Sequence, residues 1–167
     1  MDAKAEDAMG VTLPAPFSTW FASKGWSPRE HQLALLQKTA GGRSALLIAP
    51  TGAGKTLAGF LPSLIDLNSR GKKKPGTAFQ GIHTLYISPL KALAVDIERN
   101  LERPVSEMGL RVEIETRTGD TPQHKRTRQR LNPPDILLTT PEQVALLISS
   151  KEAERFFKDL KFVIFDE

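Results

Sequence analysis

The run Ala49-Pro50-Thr51-Gly52-Ala53-Gly54-Lys55-Thr56 holds residue types that grip phosphate. Gly52 and Gly54 permit a tight turn that brings backbone N–H groups close to an anion. Thr51 and Ala53 complete that turn. Lys55 can reach the β and γ oxygens of a nucleotide as a point charge. The Thr56 hydroxyl can ligate Mg²⁺, which takes oxygen ligands and keeps several waters. A helix opening here would aim its N-terminus at the same phosphates. The plain alternative is a glycine turn after a strand. Ala49 stands at the first motif position, where a glycine is usual, and a small side chain suffices there. At the far end, Asp166 and Glu167 close the apolar run KFVIFD. Such acids, delivered at the end of a strand, can hold Mg²⁺ (Asp166) and orient an attacking water (Glu167). Two solvated carboxylates are the alternative.

These residues need a frame. Apolar runs and helical patterns alternate along the chain, which predicts an α/β fold with a mostly parallel sheet flanked by helices. The expected strands are Ser44–Ala49, Thr84–Ser88, Val112–Thr116, Ile136–Thr140 and Phe162–Asp166. SALLIA, DILLTT and KFVIFD are nearly continuous apolar runs, as strands buried on both faces should be. VEIET alternates, which places it nearer an edge. Ser27-Pro28-Arg29-Glu30 reads as a capping box opening a helix that ends at Gly41–Gly42. Ser88–Pro89 opens another, with Leu90, Leu93, Ile97 and Leu101 on one face. Thr140–Pro141, with Gln143 following, opens a third. Pro62 and Pro104 fall inside helical patterns and predict kinks or breaks. Asn68–Gly81 reads as a loop.

The chain has 167 residues and a net charge of +4, which suits one domain with a sizeable core. It lacks cysteine, so disulfide and thiolate-metal frameworks are excluded. His31, His83 and His124 are not spaced as ligands. No signal peptide or membrane span is legible, so a cytoplasmic protein without a membrane partner is expected. Residues 1–16 read as a loosely ordered tail.

APTGAGKT resembles motif I of superfamily 2 helicases, and further motifs follow in order. Gln32, in GWSPREHQ, resembles the Q-motif glutamine, whose amide can pair with adenine. SPLKALA resembles motif Ia, RTGD a glycine-containing turn, TTPEQ motif Ib, and FDE the start of motif II, the DExH box. The wording is most similar to the large helicase-related (Lhr) proteins among DEAD/DEAH-box helicases, and within them to the ligase-associated DEXH-box DNA helicases. The likeness runs from Phe17 to Glu167. It implies the first RecA-like P-loop NTPase domain over residues 17–167, truncated within motif II. A second, C-terminal RecA-like domain and an arginine finger would lie outside it.

The resemblance implies ATP and Mg²⁺ as cofactors. It casts Lys55, Asp166 and Glu167 as catalytic, Gln32 and Thr51–Thr56 as nucleotide-binding, and Thr56 with Asp166 as Mg²⁺ ligands. Pro89, Leu90, Lys91, Thr139, Thr140 and Pro141 become contacts to single-stranded DNA, with RNA as a second possibility. A ligase and a nuclease as partners, a role in DNA repair and association with the bacterial nucleoid are further implications. An arginine finger is worth about 10³–10⁵ in rate, so the isolated chain is expected to turn over negligibly. Two other readings stay open: a binding module without catalysis, and a phosphate-loop ATPase outside the helicases. Arg117, Lys125, Arg126, Arg128 and Arg130, set against Asp120, could bind phosphates or form a solvated face. Arg70–Lys74 reads as a solvated loop. Trp20, Phe21 and Trp26 read as core, or as a packing shelf near the adenine.

Overall fold

The computed structural model describes residues 11–70 and 80–166. Four short parallel strands form one sheet: β1 Thr84–Ile87, β2 Ile114–Arg117, β3 Ile136–Thr139 and β4 Phe162–Phe165, in the order β2-β3-β1-β4. Seven helices are described: α1 Ala15–Ser23, α2 Glu30–Ala40, α3 Lys55–Arg70, α4 Lys91–Glu107, α5 Gln123–Leu131, α6 Pro141–Ile148 and α7 Ala153–Phe157.

The apolar runs of β1 and β3 feed both faces of the sheet, since successive side chains point to opposite sides. Tyr86, Ile136 and Leu138 join Phe17, Phe21, Phe60, Leu61, Leu64, Ile97 and Leu101 in the larger cluster, beneath α1, α3 and α4. Leu85, Ile87 and Leu137 face the other way, onto Leu147 of α6 and Phe156 of α7. The alternating segment around β2 takes an edge, as its pattern predicts.

Several expectations are corrected. Residues 44–49 form no strand, and Leu46 and Ile48 stand 86% and 85% exposed. An extended run becomes a strand only when a neighbour accepts and donates along its backbone. No described strand pairs with this run. The run in β4 is likewise not buried on both faces. Its inner face lies under α3, while Val163 and Phe165 of the other face are exposed.

The first capping box forms later than expected: α2 starts at Glu30, Arg29 is the N-cap, and Gln32 Oε1 accepts the Arg29 backbone N–H at 2.9 Å. Leu90 rather than Ser88 is the N-cap of α4, and Leu90 is exposed. Both α3 and α4 run through Pro62 and Pro104 without a break. Asn68–Arg70 belong to α3, so the loop expected from Asn68 begins later, and residues 71–79 lie outside the described residues. The tail expected to reach residue 16 gives way earlier, because Leu13 is buried and α1 begins at Ala15. Trp20 and Phe21 are core, whereas Trp26 is exposed and meets Trp20 edge-on at 5.8 Å.

Candidate nucleotide and nucleic-acid site

The phosphate loop bends where the sequence supplies glycine. Gly52 and Gly54 have φ of 79° and 75°, a region that costs an L-residue about 1–2 kcal/mol. Between them Ala53 is buried, and its N–H donates to Pro50 O at 3.2 Å. Helix α3 opens at Lys55, so its free N–H groups and positive dipole end meet the loop. The Lys55 ammonium donates to Ala49 O at 2.8 Å, folding the side chain back across the loop it serves. Thr51 is exposed, and Thr56 is half-buried in the first turn of α3.

Gln32 braces this loop from α2. It is buried; its Nε2 donates to Gly54 O at 3.3 Å, while its Oε1 holds the Arg29 N–H. A Cβ on Gly54 would come within 3.0 Å of that Nε2. Both ends of the Gln32 amide are therefore occupied, and pairing with a base would require their exchange.

The acid at the end of β4 is fixed by register. Strand β4 pairs with β1 so that Tyr86 lies opposite Ile164 and Ile87 opposite Phe165. Asp166 follows; its N–H donates to Ile87 O at 3.0 Å, and its Oδ2 accepts the Tyr86 hydroxyl at 2.8 Å. Asp166 shares a face with Ile164, the face covered by α3, where a Cβ on Gly59 would touch Ile164 at 3.7 Å. Its carboxylate thus belongs to the side of the sheet that carries the phosphate loop. Glu167 lies outside the described residues.

A second set gathers at the carboxyl ends of β1 and β3. Ser88 N–H donates to Thr139 O at 3.1 Å, and the Ser88 hydroxyl accepts the Leu90 N–H at 3.3 Å. Pro89, Leu90 and Lys91 are exposed at the start of α4. The Lys91 ammonium meets both Asp120 carboxylate oxygens at 3.1 Å, so motif Ia and the RTGD turn are joined at the surface. Arg126 of α5 holds that turn from within, donating to the carbonyls of Thr118, Gly119 and Thr121. Thr139 is fully buried, and its hydroxyl donates to Arg117 O at 2.6 Å. Thr140 is the N-cap of α6, with the exposed Pro141 at the first helical position. Its hydroxyl also bonds Glu142, which holds that carboxyl below the usual range.

Arg117 is the basic residue here that the chain pattern does not single out from its neighbours. Unlike the exposed Arg128, it is 7% exposed. Burial first, then the charges of Arg126 and Arg130, push its pKa down. Arg128 is paired with Glu115 at 2.7 Å. A cavity of about 490 Å³, lined in part by His83, Glu113 and Asp135, lies at the opposite, amino ends of the strands, away from this site. Among the described residues no group of three or more His, Asp or Glu is placed to cage a metal. No described helix is long and apolar enough to cross a membrane.

A glycine-bent loop, a lysine and a helix N-terminus on the face of a parallel sheet that also presents a strand-end aspartate define the RecA-like phosphate-loop class. Within that class the sequence matches the DEAD/DEAH box helicase family over residues 29–167, and the chain belongs to that family. It is 40% identical over 158 residues to a Lhr helicase/probable uracil glycosylase of Mycolicibacterium smegmatis, covering 89% of this chain and 10% of that protein. It is also 40% identical over 173 residues to the Lhr helicase/uracil glycosylase of Escherichia coli, covering 93% of this chain and 11% of that one. The structure of the Mycobacterium smegmatis helicase Lhr bound to ssDNA and AMP-PNP superposes with a TM-score of 0.80 at 38% identity, over 93% of this chain and 20% of that one. The chain thus spans about a tenth of the length of these curated relatives.

Proposed function

We propose that this chain is the ATP-binding front part of an ATP-dependent DNA helicase. The observation that carries the reading is the shared face: the loop of Gly52, Gly54 and Lys55 opens α3 on the side of the sheet to which Asp166 is bound by Tyr86. Backbone N–H groups of residues 51–56 and the Lys55 ammonium would take the phosphates. Lys55 would release Ala49 O to do so, exchanging a neutral acceptor for a charged one. Gln32 would recognise the base and report on the loop through Gly54.

The Thr56 hydroxyl and the Asp166 carboxylate are hard oxygen donors, the type Mg²⁺ takes, and Mg²⁺ commonly uses one or two carboxylates beside substrate phosphates. When bound, the ion would neutralise charge that develops on the phosphates. Glu167 would orient the attacking water. In this class catalysis is mainly positioning and charge stabilisation. Groups from a second RecA-like lobe would complete turnover, so binding with negligible turnover is expected of this chain alone.

Single-stranded DNA would lie across the ends of β1 and β3. Phosphates can be held there by the helix N-termini of α4 and α6 and by Lys91, together with Pro89, Leu90, Thr140 and Pro141. Thr139 would contribute through its backbone, since its hydroxyl is engaged inside the sheet. Translocation, a repair role, and a ligase or nuclease as partners follow from the helicase reading as further proposals.

The test is titration of the purified chain with ATP and Mg²⁺ beside a Lys55→Ala variant. Saturable binding that weakens at least about tenfold in the variant, the loss expected of one charge-assisted contact, supports the reading. Absence of binding in the unaltered chain overturns it.

A further inference from the structure

We propose that Tyr86 is the positioning residue for the strand-end acid, and that it sets the affinity of this site for a divalent cation carried in with a nucleotide. The inference rests on the nucleotide-site reading and adds to it a residue outside the phosphate loop and the DExH box.

Tyr86 is the one tyrosine of the chain. It lies in the middle of β1 and is 1% exposed. Its ring stacks on Phe60 of α3 at 5.5 Å, with 29° between planes. That contact packs Tyr86 against the helix that Lys55 and Thr56 open. Its hydroxyl reaches along the same face of the sheet, past Ile164, to donate to Asp166 Oδ2 at 2.8 Å. A diagonal neighbour on an adjacent strand lies within reach of a long side chain.

Consider Asp166 without this bond. It sits one residue past the last paired residue of β4, and β4 is an edge strand. Its backbone is tied only by the N–H to Ile87 O among the backbone bonds described. The side chain could still rotate about two torsions. The Tyr86 hydroxyl removes that freedom by occupying one oxygen. The carboxylate is then held in one orientation on the face of the sheet that α3 covers. A hydroxyl suits this duty better than a cation, because it orients the carboxylate without neutralising it. A buried ring is also a rigid mount, since its packing against Phe60 in the core holds its torsions fixed. A phenylalanine would fill the same space in the core; the hydroxyl is what the packing does not require.

The test uses the 167-residue chain, ADP as the probe, and Mg²⁺ added or withheld. Dissociation constants are measured by calorimetry for the unaltered chain, Tyr86→Phe, Asp166→Asn and the double variant. The expected readout is the ratio of ADP affinities with and without Mg²⁺. Tyr86→Phe should lower that ratio by about tenfold or more, the worth of one hydrogen bond to a carboxylate. In the Asp166→Asn background the same change should have no further effect on the ratio. A purely structural role would weaken ADP binding equally with and without Mg²⁺, leaving the ratio unchanged, and that result overturns the inference. An unaltered chain that binds ADP, with Tyr86→Phe matching it under both conditions, overturns this inference and leaves the nucleotide site standing. An unaltered chain that binds no nucleotide overturns both.

Discussion

Gly52 and Gly54 share a left-handed backbone but not their surroundings, and this difference makes a sharp experiment. Replacing either by alanine imposes the positive-φ penalty, about 1–2 kcal/mol. At Gly52 a new Cβ meets nothing within 4 Å, so the cost should stop there. At Gly54 it would come within 3.0 Å of Gln32 Nε2. Gln32 must then move, and it has two bonds to lose, to Gly54 O at 3.3 Å and from Arg29 N–H at 2.9 Å. Each is worth about 0.5–1.5 kcal/mol net. Gly54→Ala should therefore cost about 2–5 kcal/mol, against about 1–2 kcal/mol for Gly52→Ala. Urea unfolding followed by circular dichroism reads both through the midpoint at constant slope. In a Gln32→Ala background the clash and both bonds are gone. The two glycine variants should then agree to about 0.5 kcal/mol, the usual limit of additivity. Equal costs in the unaltered background, or a gap that survives removal of Gln32, would refute the claim that Gln32 braces the loop.

Two further predictions concern the frame. Glu107, at the end of α4, accepts from Trp20 Nε1 at 2.7 Å, Lys24 Nζ at 2.9 Å and Arg103 Nε at 2.9 Å. These bonds, Lys24's first, lower its pKa from 4.5 to about 2. A carboxyl with a depressed folded-state pKa adds stability above its unfolded value and loses it as pH falls toward the folded one. Glu107→Gln should thus lower the melting temperature at neutral pH, and the two melting curves should converge between pH 4.5 and about 2; a gap that stays constant over that range rules the mechanism out. Thr139→Val leaves the buried Arg117 carbonyl without its hydroxyl donor and should cost about 1–3 kcal/mol. Thr139→Ser keeps the hydroxyl and should recover most of that; equal losses in the two variants would show that packing, not the bond, matters.

The legible part of the fold was what single segments encode. The cores of β1, β3 and β4 follow from runs such as TLYI and ILLT, whose composition suits a pleated, buried surface. The phosphate loop was legible because Gly52 and Gly54 are demanded by backbone geometry at those very positions. What failed depends on a second body. SALLIA has strand composition, but a strand is a property of a pair, and the described neighbours leave Leu46 and Ile48 in solvent. Ser88 has the chemistry of an N-cap, yet its hydroxyl serves the Leu90 N–H from two residues upstream and α4 starts at Lys91. Where the Thr139 hydroxyl goes is likewise set by a partner strand: the register of β2 on β3 places Arg117 opposite it and turns that group inward. Tyr86 passed as one more apolar position because only the register of β4 on β1 reveals where its hydroxyl goes.

The strand order carries an electrostatic consequence. Strand β1 lies between β3 and β4, so the ends of β3 and β4 stand two strand spacings apart, about 10 Å. That is close to the screening length of physiological salt, about 8 Å. A triphosphate held beside Asp166 and a polyphosphate strand laid over Thr140 would therefore feel each other's charge. Left to Coulomb's law alone, each ligand would weaken the other. Any mutual strengthening between them must come from elsewhere, through movement of the elements that flank β1, and it must first overcome that repulsion.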